Sequence, residues 1–386
     1  MNTYARFPLT LVQGEGAYVR DDAGNQYLDF ISGIAVNTLG HAHPKLTAAL
    51  AEQAGTMLHC SNLFHIPKQQ QLADQLTRLS GLSAVFFCNS GAEANEGAIK
   101  LARKYFYDSG SPRRTIITAT QSFHGRLLAT LTATGQDKVK TGFDPLPPGF
   151  VHVPLNDIEA LKAAVNEQTA AVLLEPLQGE GGVNVADPTY LQAVRALCDE
   201  RGLLLMLDEV QTGIGRCGTM FAFEQAGIVP DILTLAKGLG GGVAIGAMLA
   251  SEKVAASFGP GTHGSTFGGN PLACTAALTV LDVIESEHLL DNVKERGDQL
   301  RQGLRELSTR FSVIRQVRGQ GLLIGAELSI EAAPLVAAAR AQKLLILMAG
   351  PNVLRFLPPL NVSADEVDEA LKCMQTILTT TLEEGE

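Results

Sequence analysis

With 386 residues the chain exceeds the ~250–300 that one hydrophobic core organises, so two or three lobes are expected. Its 46% hydrophobic content excludes a disordered chain, and its apolar runs, such as Leu203–Leu207 and the glycine-diluted 240–250, are too short to span a bilayer. A net charge of −10 with no basic cluster opposes binding to nucleic acid or anionic lipid, and six cysteines without C-x-x-C spacing argue against a disulfide framework or a zinc ribbon.

Residues 1–20 show no basic flank followed by an apolar stretch, so a cytoplasmic protein with reduced thiols is expected. The first element is a β-hairpin, because "GAYVRDDAGNQYLDF" alternates polar and apolar residues on each side of a turn at Asp22–Asn25. After Pro44 the periodicity becomes helical. From about residue 68 to 250, apolar runs at 84–88, 115–119, 171–174, 203–207 and 232–236 alternate with amphipathic stretches, the pattern of an α/β domain with a largely parallel sheet. Beyond Pro271 come two long helical patterns reaching about Phe311, three strand-like stretches ("SVIRQVRGQGLLIGAEL", "LLILMA", "VLRFLPP") and a closing helix from about Ser363. No repeat, low-complexity tract or flexible linker interrupts the chain.

In open parallel sheets, ligands collect beyond the carboxyl ends of the strands. Here those ends carry "NSGAEANE", "QSFHGR", "EPLQGEGG", "DEVQ" and "AKGLGGG". Lys237 follows one apolar strand directly and precedes a run of glycines that leaves room for a bulky group. Burial disfavours an ammonium, and the neutral amine it promotes is the form that attacks a carbonyl, so the natural use is a Schiff base. Asp208 ends a neighbouring strand. Alone it reads as a helix cap or a hydrogen-bonded carboxylate; beside a Schiff-base lysine it matches the pyridinium partner that pyridoxal phosphate requires. Gln211 is placed to reach the ring hydroxyl, and Glu209 reads as structural.

A phosphate site is offered by "CNSGAEANEGAIKL", a strand end and turn opening a helix, where the N–H groups of Gly91 and Ala92 would face an anion. An ordinary helix cap by Ser90 or Asn89 explains the same residues equally well. Thr266 in "HGSTFGGNPLA" is a second phosphate candidate, and Phe123 either stacks on the ring or fills the core. "GIGRCG", 213–218, fits G-x-G-x-x-G but opens no convincing helix, so a dinucleotide site is not expected; "HAH", 41–43, lacks a third metal ligand in view, so no metal is expected either.

Taken together and in order, "LLLEPLQGEGG", "LLLMLDEVQTGIGR", "DILTLAKGLGGG" and "THGSTFGGNPLA" resemble class III pyridoxal-phosphate aminotransferases of fold type I, nearest the acetylornithine aminotransferase branch, which shares the opening "YARFPLTLVQGEGAYV". The resemblance covers the whole chain. It implies a large domain over 51–275 with a mostly parallel seven-stranded sheet flanked by helices. A smaller α+β domain would be built from both chain ends, 1–50 and 276–386. It also implies a homodimer in which Thr266 reaches the partner's cofactor. In that likeness Lys237 carries the cofactor, Asp208 holds its ring nitrogen, Gln211 contacts its ring hydroxyl and Phe123 stacks on it, with Ser90, Gly91 and Ala92 kept as the candidates for its phosphate. Arg126 and Ser265 meet the substrate. Arg355 grips the α-carboxylate of glutamate or 2-oxoglutarate, and Glu180 pairs with Arg355 when the amine donor is bound. Cys60 stands where a small hydroxyl residue is expected near the substrate.

The reaction so implied passes the terminal amino group of N2-acetyl-L-ornithine to 2-oxoglutarate, giving N-acetyl-L-glutamate 5-semialdehyde and L-glutamate, a step of arginine biosynthesis. Ornithine, succinylornithine and 4-aminobutyrate transamination are the alternatives within the same class, along with an internal aminomutase. A nicotinamide-dependent dehydrogenase and a noncatalytic binding protein are the alternatives outside it.

Overall fold

The chain opens with three antiparallel strands, β1 (Leu11–Glu15), β2 (Tyr18–Asp21) and β3 (Gln26–Asp29), in a computed structural model that describes residues 1–383, with side chains through residue 380. The β2–β3 turn is the expected hairpin. Asp21 accepts the backbone N–H groups of Ala23 and Asn25 at 3.1 and 2.7 Å, and Gly24 takes φ +81°, a left-handed conformation that costs glycine little. Helices α1 (Pro44–Thr56) and α2 (Pro67–Ser80) each place proline in the first turn, where no N–H is needed.

The apolar runs that follow join one seven-stranded sheet. Its members in chain order are β4 (Ala84–Cys88), β5 (Thr115–Ala119), β6 (Phe150–Val153), β7 (Thr169–Leu174), β8 (Leu204–Asp208), β9 (Ile232–Leu235) and β10 (Gly246–Ala250). Across the sheet they stand in the order β4-β10-β9-β8-β7-β5-β6, all parallel except β10, which runs against both neighbours. Every residue of β7, β8, β9 and β10 is buried. Cover on both faces explains why these segments read as unbroken apolar runs instead of alternating. Two strands carried no such signal: β6 lies at the edge and is half-buried, and β10 hides within the glycine-diluted run.

Helix α3 (Gly91–Asp108) follows β4, and α4 (Pro188–Arg201) precedes β8. Beyond the sheet come α5 (Pro271–Ser286) and α6 (Leu289–Arg310), the two expected long helices. Then follow β11 (Ile314–Gln320), β12 (Leu323–Leu328), α7 (Ala333–Ala341), β13 (Leu344–Leu345), β14 (Leu347–Met348), β15 (Val353–Phe356) and α8 (Ala364–Glu383). A second sheet, β11-β12-β15-β14, is antiparallel throughout. The short β13 pairs in parallel with β3, Leu344 opposite Leu28, so the N-terminal hairpin and the C-terminal third share a sheet. Residues 384–386 of the expected C-terminal lobe lie outside the described residues.

Candidate active site

Because β4, β5, β7, β8 and β9 run the same way, their carboxyl ends open on one cavity of about 450 Å³. Ser90, Gly91 and Ala92 line it from the first strand, Phe123 and Arg126 from the second, and Glu180 from the segment after the third. Asp208 and Gln211 enter from β8, and Lys237 from just beyond β9.

Register sets the floor of the cavity. Asp208 stands opposite Thr234 on β9, Thr234 donates its hydroxyl to Asn95 Oδ1 at 2.7 Å, and Asn95 Nδ2 donates to Asp208 Oδ2 at 2.7 Å. His124 Nδ1 meets the same oxygen at 2.8 Å, and Val210 N donates to Oδ1 at 3.0 Å. An ionised carboxylate only accepts, so His124 carries its proton on Nδ1. Among the described residues no lysine or arginine pairs with this buried acid. Glu209, its neighbour, accepts the backbone N–H groups of Ala222 and Phe223 and plays the structural part expected of it.

Lys237 takes φ +41°, an uncommon conformation for a residue with a Cβ. Thr38 secures that turn by donating to Gly238 O at 3.0 Å. A Cβ on Gly238 would lie 2.6 Å from the same hydroxyl, so glycine is required there. Burial lowers the Lys237 ammonium below its ordinary pKa, with Glu180, Asp208 and Glu175 pulling the other way. Glu175 is buried beside this group and accepts Phe123 N at 3.0 Å; burial, then the Asp208 charge, push its carboxyl well above the usual range.

At the opposite end α3 begins. Ser90 caps it by accepting Glu93 N, and the Glu93 carboxylate reaches back past the cap to accept Asn89 N at 2.8 Å. The cap and the anion site are therefore compatible, since the first-turn N–H groups of Gly91 and Ala92 remain at the cavity wall. A Cβ on Gly91 would sit 2.6 Å from Val210, so only glycine lets this turn approach the segment after Asp208.

On the side facing the second sheet, Arg355 reaches in from β15. It is 1% exposed and donates through Nη1 to Gly179 O at 2.7 Å and Glu180 Oε1 at 2.6 Å. Gln211 Nε2 donates to Glu180 Oε1 at 3.1 Å, so in this arrangement Gln211 is engaged with the ion pair. Burial works to raise the Glu180 carboxyl, but Arg355 and then Lys237 outweigh it and hold it below the usual range. Arg126 is exposed at the mouth with its guanidinium 5.6 Å from the centre of the Phe123 ring.

Three sequence candidates lie outside the cavity. Thr266 is exposed, Ser265 Oγ accepts from Asn89 Nδ2 and Gly268 N, and half-buried Cys60 is turned toward Ser61 O. Asn95, His124 and Glu175 were missed as functional residues although all three stand inside the quoted strand-end motifs; nothing local says that they converge on Asp208. "GIGRCG" forms turns, with Arg216 spent on the carbonyls of Leu322 and Pro358.

A sequence model of the class III aminotransferases matches residues 1–378. The chain belongs to that family. The acetylornithine aminotransferase of Gloeobacter violaceus is 58% identical over 380 residues, covering 98% of this chain and 95% of the relative. Among solved structures, the ornithine aminotransferase of Toxoplasma gondii, which has PLP at partial occupancy in its active site, superposes with a TM-score of 0.96 at 35% identity, covering 100% of this chain and 93% of that one. The N-acetylornithine aminotransferase of Stenotrophomonas maltophilia gives a TM-score of 0.87 at 42% identity, with 99% of both chains covered. This class III aminotransferase thus has the type I fold expected of it. No helix among the described residues is long and apolar enough to cross a membrane.

Proposed function

We propose that the protein transfers the terminal amino group of N2-acetyl-L-ornithine to 2-oxoglutarate, using pyridoxal phosphate. The observation that carries this reading is the juxtaposition of Lys237, Asp208 and the start of α3 around one cavity, together with the run of acetylornithine aminotransferases at 50–58% identity. The residues fit the cofactor. The α3 N-terminus suits its phosphate, and a buried carboxylate lacking a lysine or arginine partner suits a ring N–H⁺. When bound, the cofactor supplies an aldehyde that takes up the amine and a ring that accepts electrons from the carbon being deprotonated.

The chain's own residues then divide the work. Lys237 Nζ, its ammonium disfavoured by burial, takes the proton from the substrate carbon that bears the transferred nitrogen. Asn95 and His124 fix the Asp208 carboxylate, so its charge is oriented before substrate arrives. Phe123 bounds one face of the ring site. Arg126 takes the substrate carboxylate nearest the mouth. Glu180 neutralises Arg355 while the uncharged side of the amine donor is bound, and releases it for the second carboxylate of 2-oxoglutarate or glutamate.

We also assign the protein to the cytoplasm, as a homodimer. In support, its six cysteines are unpaired, and Leu63, Phe64 and Phe267 leave 88%, 68% and 60% of their surface uncovered in the single chain, near exposed Thr266. The reading is tested by half-reaction absorbance spectra of the holoenzyme with acetylornithine, succinylornithine, ornithine and 4-aminobutyrate side by side. Fastest conversion with acetylornithine is expected; a clear preference for another amine would replace the substrate named here.

A further inference from the structure

The mouth of the active site is more positively charged than the chain as a whole. The cavity holding Lys237 shares Phe123, Arg126 and Glu180 with an outer cavity of about 460 Å³. That outer cavity continues into a third of about 220 Å³ through Gln136, Lys138, Glu180, Gly350 and Pro351. Two carboxylates line this vestibule, and each is already neutralised: Glu180 by Arg355 and Glu327 by Arg318. Two cations are left over. Arg126 contacts only the face of Phe123, and Lys138, carried on the short turn Asp137–Val139, makes no ion pair or hydrogen bond among the described residues. Asp137 beside it points to Lys140 instead.

We propose that Lys138 is a further specificity-determining residue, which with Arg126 makes the vestibule select for an acylated α-amine over a free one. The proposal rests on the substrate reading above. With the terminal amine at Lys237, the α-carbon end of the substrate lies toward Arg126 and Lys138. There both substrates present the α-carboxylate, and N-acetylornithine adds an amide oxygen, a further acceptor for these cations. Unacylated ornithine presents an α-ammonium in the same place, which meets two like charges that no vestibule carboxylate is free to offset. Two groups that only donate and carry positive charge therefore favour one substrate and oppose the other.

Steady-state kcat/KM for acetylornithine and for ornithine, measured on holoenzyme with saturating 2-oxoglutarate, tests this. Lys138 is exposed, so its effect is moderate: Lys138→Met should lower the acetylornithine-to-ornithine ratio by roughly 3- to 10-fold. Lys138→Glu, which reverses the charge, should lower it by about tenfold or more, and Lys138→Arg should hold the wild-type ratio. A ratio that stays within about twofold in Lys138→Glu overturns the proposal while leaving the substrate reading intact, as does an equal collapse in Lys138→Arg. A wild-type enzyme that prefers ornithine overturns the substrate reading and this proposal with it. If Lys138→Glu fails to fold, the Lys138→Met ratio decides.

Discussion

Glu180 Oε1 lies 2.6 Å from Arg355 Nη1, and the guanidinium it meets is 1% exposed. The buried cation is committed to a partner that is itself attached at the cavity edge, where half-exposed Glu180 has room to turn away. A pocket that accepts an uncharged chain in one half-reaction and a carboxylate in the other needs such a removable partner, because an unpaired charge left in a buried site is costly.

Arg355→Ala is therefore expected to act unequally on the two substrates. The KM for 2-oxoglutarate should rise roughly 10- to 150-fold, the loss of about 1.5–3 kcal/mol for a charged hydrogen-bonded contact. The KM for acetylornithine should change much less. Equal effects in a two-substrate steady-state analysis would remove the switching role from this pair.

Asp208→Asn keeps the shape of the side chain, and its carbonyl oxygen still accepts from His124. The charge is lost, and with it the acceptor for Val210 N, because the amide nitrogen that replaces Oδ1 only donates. By analogy with removal of one preorganised electrostatic contact, kcat should fall on the order of 10²–10³-fold, about 2.7–4 kcal/mol. An unchanged circular dichroism spectrum and melting temperature would separate this from misfolding, and near-wild-type turnover would show that the ring nitrogen is held elsewhere.

Lys237→Ala should abolish the covalent route, lowering turnover roughly 10⁴-fold or more while added cofactor still binds noncovalently. Absorbance of the purified variant should lack the band of the lysine-linked cofactor. Retained steady turnover is the result incompatible with the mechanism.

Stability should carry a pH signature from Glu209. Burial raises its carboxyl from 4.5 to about 7, so the folded chain binds this proton more tightly than the unfolded one. Its contribution is present in full below about pH 4.5 and is lost as pH rises through about 7, on the order of 2–4 kcal/mol. Denaturant midpoints measured from pH 5 to 8 should fall along this window in the wild type and fall less steeply in Glu209→Gln, where the raised Glu175 carboxyl still contributes.

The largely parallel sheet was legible because its central strands are covered on both faces, whereas the type I fold came from the family resemblance. Burial forces β7, β8 and β9 into unbroken apolar runs, and chain direction in a parallel sheet sends whatever follows them to one edge. Lys237 and Asp208 could be paired on that logic alone. The edge strand β6 escaped notice because half-burial leaves no such run, and β10 because glycines dilute it, among them Gly246, where a Cβ would lie 2.4 Å from Ser90 O.

Sequence by itself determined the order of the elements, the chemistry delivered at each strand end and the likeness to class III aminotransferases. Only the tertiary structure decided which side chains share an oxygen, since Asn95, His124 and Asp208 lie far apart in the chain and meet through a strand register and a helix capped against it. It alone also decided that the N-terminal hairpin pairs with β13, and that the mouth keeps two unneutralised cations in a chain of net charge −10. The reason is the same in each case: local pattern reports whether a residue is buried, whereas the partner that burial brings to it is set by packing between distant segments.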